Sequence, residues 1–118
     1  MDNTQSLTRV VGLFIAEGSL VEKVTATVIK RGIRGPGGAG YWLVQTEPTK
    51  FVEGRPPSTY LIIGPGGRGE RLEWMDEGKS SIVGCHMMLD ETGRAPNLES
   101  FDFRTAYDFG RGDVERLE

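Results

Sequence analysis

At 118 residues the chain is the size of one domain, and its single cysteine, Cys85, leaves no internal disulfide to hold the fold. A net charge of −3 sets it apart from strongly basic nucleic-acid binders, and no apolar run of about 18 residues is present to form a membrane-spanning helix. Residues 1–70 carry eight basic and six acidic side chains, whereas residues 71–118 carry six and eleven, so the acidity belongs to the second part.

The polar Met1–Ser6 stretch lacks the basic-then-apolar layout of a signal peptide, and a cytoplasmic location without membrane contact is expected. From Leu7 to Ile15 the residues are β-branched and aromatic, as in a strand. Gly12 near its middle suggests a bend or a close backbone approach. Glu17-Gly18 reads as a hairpin turn. The second strand, Leu20–Ile33, alternates with a period of two. It places Leu20, Val24, Ala26 and Val28 on one face and Lys23, Thr25, Thr27 and Arg31 on the other.

GPGGAG at residues 35–40 reads as a loop, Tyr41–Thr46 as the third strand, and the proline-containing stretch 47–57 as an irregular connection. Ser58–Ile63 has apolar residues on both parities and reads as a fourth strand buried on both faces. GPGGRG at 64–69 is a second glycine loop. Glu70–Met75 is the fifth predicted strand, with Leu72 and Trp74 inward, and Asp76–Lys79 a hairpin turn. Ser80–Leu89 is the sixth strand, 90–97 a polar loop, and Phe101–Phe109 the seventh, with its aromatic rings on one parity. The segment 110–118, like 1–6, is expected to fray. The pattern predicts a single all-β domain over 1–118, a small barrel or sandwich of about six to seven mostly antiparallel strands with glycine-rich loops.

No catalytic set assembles from these residues. Both glycine loops lead into predicted strands and lack the helix N-terminus that phosphate loops use. Cys85 and His86 are neighbours on one strand, so they point to opposite faces and form no nucleophile–base pair. The carboxylate pairs Glu70/Glu73, Asp76/Glu77 and Asp90/Glu91 sit at turns or strand ends and read as solvated surface. Arg111-Gly112-Asp113 matches an adhesion tripeptide by chance. No metal and no cofactor are expected, and the chain reads as non-enzymatic.

The candidate binding residues are Lys23, Lys30, Arg31 and Arg34 on the second strand, leading through the first glycine loop to Tyr41 and Trp42. Cations beside exposed rings are the ingredients of a single-strand nucleic-acid surface, in which bases stack and phosphates are neutralised. Five-stranded barrels of the OB type use this arrangement. Seven strands, with no helix between the third and fourth, depart from it. The competing reading is a solvated basic edge, with Trp42 in the core. The function expected is a binding module for a macromolecular partner, either a protein or a single-stranded nucleic acid. The alternatives are a barrel holding a small molecule and a structural domain that self-associates as a homodimer.

Overall fold

A computed structural model describes residues 7–35, 38–66, 69–89 and 107–117. Six strands carry the fold: β1 (Val10–Glu17), β2 (Lys23–Gly35), β3 (Gly38–Thr49), β4 (Ser58–Pro65), β5 (Ile82–Leu89) and β6 (Tyr107–Arg116). One helical turn, α1 (Glu73–Asp76), lies between β4 and β5. Each strand pairs antiparallel with the next, and β6 returns to β1, so the sheet is a closed barrel. Closure decides between the barrel and the sandwich that the alternation allowed.

Alternation sends one parity of each strand inward. Val11, Leu13 and Ile15 of β1 meet Trp42 and Val44 of β3 and Leu61 and Ile63 of β4. Val83, Cys85, Met87 and Leu89 of β5 complete the interior with Phe109 and Val114 of β6. A six-stranded barrel is narrow enough for these side chains to fill it. Removing each large apolar side chain from water contributes about 1.5–3 kcal/mol.

The two mouths are closed differently. Phe51, from the segment after β3, packs its ring on Phe109 near the start of β6, with centroids 5.4 Å apart. At the other end Leu72 and Met75 are fully buried, and Arg116 at the end of β6 donates to the Met75 carbonyl at 3.0 Å.

Three expectations change. The predicted fifth strand, Glu70–Met75, forms α1 and its approach instead. The stretch holds Glu, Arg, Leu and Met with no β-branched residue, which suits a helical turn. A spacing of three puts Leu72 and Met75 together over the barrel mouth, and Asp76–Lys79 is the exit of that turn rather than a strand hairpin.

The segment expected to fray after Phe109 is strand through Arg116, paired on both sides, with Val114 wholly buried. Its glycines and charges resemble a tail locally. The glycine is what lets β6 close on β1, since a Cβ at Gly112 would stand 1.8 Å from the Phe14 carbonyl oxygen. Of the predicted seventh strand, residues 101–106 lie outside the described residues.

Third, β3 extends from Gly38 to Thr49, beyond the predicted Tyr41–Thr46, and Gly35 pairs with Gly38 across the first glycine motif. Gly18 takes the positive φ expected of it, at 90°. Among the described residues no helix is long and apolar enough to cross a membrane.

Candidate functional site

The basic and aromatic residues singled out in the sequence do not converge. Trp42 faces the barrel interior at 1% exposure. Tyr41, its neighbour, is 4% exposed on the outer face, where it packs with Ile33, Leu43, Ile62 and Met88. Neither ring is open for a base to stack on.

The cations are dispersed by bulges in the β2–β3 ladder. Val28 pairs with Val44 but Lys30 pairs with Leu43, so β2 carries one extra residue there. An extra residue reverses the parity of the positions that follow, until the next shift between Lys30 and Ile33. Arg31 is thereby turned to the side of Trp42, and its guanidinium lies 4.9 Å from that ring. Arg31 Nε donates to Asp76 Oδ2 at 2.7 Å, and its terminal nitrogen donates to the Thr8 carbonyl. Lys23, at the far end of the strand, lies 5.1 Å from the Phe14 ring. Lys30 and Arg34 stay exposed.

Asp76 is the counterpart of this corner. Burial pushes its carboxyl up, but hydrogen bonds from Arg31 and Thr8 and the Arg31 charge outweigh burial and hold it below the usual aspartate range. Its reading as solvated surface is corrected: the side chain is 11% exposed and ties α1 to β2 and to the chain before β1.

An open cleft of about 740 Å3 lies instead on the outer face of β5 and β6, extending to the end of β4. Gly84, the outward-facing position opposite Asp113 in the ladder, brings no side chain to its floor. The walls of the cleft carry Glu70, Asp108 and Asp113 against Arg111, with the His86 ring beside them. The ladder sets these positions. His86 is paired with Arg111 and with Gly64, and Gly84 with Asp113.

Glu70 is fixed in place by the backbone of β5, where the Gly84 N–H donates to its Oε1 at 3.1 Å. A Cβ at Gly84 would stand 3.0 Å from that oxygen and 4.0 Å from Asp113 Oδ1, so the two carboxylates flank a glycine. Among the described residues, neither Glu70 nor Asp113 has an ion-pair partner within 4.0 Å.

His86 stands at the edge of the cleft. Its Nδ1 lies 3.1 Å from Asp108 Oδ2, and the Tyr41 ring meets the imidazole edge-on, at 5.7 Å between centroids and 87° between planes. Gly64 makes this contact possible: a Cβ there would be 2.4 Å from Tyr41 Cε2 and 2.7 Å from His86 Nε2. Burial, and then the Asp108 charge, push the Tyr41 hydroxyl above its usual range.

Cys85, as its parity required, points away into the core. Burial, with the Asp113 charge adding to it, pushes its thiol up to about 12, so it remains a protonated, inert packing residue near neutral pH. Among the described residues no group of three or more His, Cys, Asp or Glu side chains is placed to hold a metal ion.

Sequence reasoning placed His86 and Gly84 on one face, opposite Cys85, yet it missed the cleft. Glu70 was assigned to solvated surface and Arg111-Gly112-Asp113 to a chance motif within a tail. The missing information was the β5–β6 register, which brings the tripeptide beside Gly84 and His86. No protein family, curated protein or solved structure matches the chain.

Proposed function

We propose that the chain is a non-enzymatic binding module whose working surface is the β5–β6 cleft, and that its partner is a protein presenting a cationic side chain there. The observation that carries this reading is the pair of carboxylates, Glu70 and Asp113, on either side of Gly84 in an open cleft, neither held in an ion pair among the described residues. A guanidinium or ammonium placed between them gains charge-assisted hydrogen bonds from both sides, and a half-enclosed site screens them less than open water does. Glu70 is already oriented by the Gly84 N–H, so little ordering cost remains on binding.

Among the described residues no serine, threonine or accessible thiol lines this cleft, which favours binding over nucleophilic chemistry. The filled interior weighs against an enclosed small ligand. The burial of Tyr41 and Trp42 weighs against base stacking and favours a protein over a single-stranded nucleic acid.

The test uses the single histidine as a reporter, because its imidazole gives one unambiguous NMR signal. Titration with N-acetyl-arginine amide should shift the His86 resonance saturably, and added salt should weaken the response. N-acetyl-glutamine amide should leave it unmoved, and Asp113→Asn should weaken arginine binding. An unshifted His86 signal at high arginine-amide concentration and low salt would overturn the reading.

A further inference from the structure

The two glycine motifs, 29 positions apart in the sequence, meet in the folded chain. Gly38 and Gly40 of the first and Pro65, Gly66 and Gly69 of the second line another cavity, of about 450 Å3. Its charged walls are Glu70, Arg71 and Glu73. It shares Pro65, Gly66 and Glu70 with the β5–β6 cleft, so the two cavities adjoin at Glu70. Glu73, at the start of α1, reaches toward the first motif: its Oε2 is 3.7 Å from where a Gly40 Cβ would stand.

From the cleft toward the second cavity the wall therefore carries Asp108 and Asp113, then Glu70, then Glu73. Among the described residues each cavity holds one arginine, Arg111 in the first and Arg71 in the second, and carboxylates outnumber arginines in the combined lining. Neither Glu73 nor Asp113 is held in an ion pair among the described residues. Gly38, Gly40, Gly66, Gly69 and Gly84 lie along this lining, which lets another main chain come close to this one.

We infer that the two cavities act as one groove for an extended segment of the partner protein that carries two basic residues. One sits between Glu70 and Asp113, the other at Glu73. This rests on the function proposed above and names the partner's chemistry. Charge complementarity selects the occupant. An acidic segment would face four carboxylates, and a neutral one would leave Glu70, Asp113 and Glu73 without an ion-pair partner among the described residues. Linking two cations turns the second contact into an intramolecular one, which raises affinity without any new surface.

The experiment compares N-acetyl-arginine amide with arginine–glycine–arginine peptides containing spacers of one to four glycines, all followed through the His86 signal of the full chain. At the best spacer the dibasic peptide should bind about tenfold or more tighter than the single arginine. Glu73→Gln should abolish that gain, bringing the dibasic peptide down to the affinity of the single arginine. Arg71→Ala, which removes the opposing cation, should increase the gain. A dibasic peptide no tighter than twice the single arginine at every spacer, or a gain that survives Glu73→Gln, overturns the groove while leaving the single-cation site standing. Absence of any response to either ligand overturns both.

Discussion

At the β2 corner, Arg31 is held by Asp76, by the Thr8 carbonyl and by the face of Trp42. On the β5–β6 face, by contrast, Glu70 and Asp113 stand without an ionic partner among the described residues. The corner looks more functional in the sequence, because its cations lie along one predicted strand and lead to two aromatic residues. The difference teaches that a charge counts toward a binding site by what it lacks in the folded chain. Arg31 is used up in closing a barrel mouth, whereas Glu70, oriented by the Gly84 N–H, and Asp113 have no ion-pair partner among the described residues.

Arg31→Ala tests the structural half of this comparison and should have the largest effect. It strips Asp76 of its partner and uncovers Trp42, and it should cost about 2–4 kcal/mol in denaturant unfolding. The neighbouring Lys30→Ala should stay within about 0.5 kcal/mol of the parent. Equal losses for the two variants would erase the distinction between a structural cation and a solvated one.

Gly64→Ala sharpens the functional half. The added methyl would press on Tyr41 and His86 and should cost about 1–3 kcal/mol by overpacking. It should also displace the His86 resonance in the free protein, because the edge-on ring contact is lost. A variant with parent-like stability and an unmoved His86 signal would show that the two rings are not held over this glycine.

The smallest effect is the pH dependence of the corner. In the folded chain the Asp76 carboxyl is held below its unfolded value. Between those two values the unfolded chain binds more protons, so stability rises with pH through that window. The contribution is fully present above the ordinary aspartate range near about 4 and is lost as pH falls through the folded value. Unfolding free energies from about pH 6 down to about pH 2 should therefore fall more steeply in the parent than in Asp76→Asn. Parallel acid limbs would mean that the Arg31–Asp76 contact contributes nothing to folding.

Much of the fold was legible because a strand's two faces are read from neighbouring residues. Val83, Cys85, Met87 and Leu89 alternate with Gly84, His86 and Met88 whatever the sheet's partners are, and the structure places the first set inside. Glu70–Met75 failed the same test. A short apolar spacing fits a strand or a helical turn equally well, and the need to cover the open barrel mouth selected the turn. Gly110–Arg116 failed because a glycine-rich charged strand has no local signature; its order comes from being clasped between β1 and β5.

Within the site, the orientation of His86 was readable and its company was not. Residue order by itself determined that this chain is a small β domain, that Cys85 is buried, and that His86 faces away from it. Those properties depend on the two-residue repeat and on hydrophobicity. Tertiary structure decided the closure of the barrel, the bulge that turns Arg31 inward, and the assembly of Glu70, His86 and Arg111-Gly112-Asp113 around bare glycines. These depend on which strand lies beside which, and in what register, a choice made by packing the whole core rather than by any one segment.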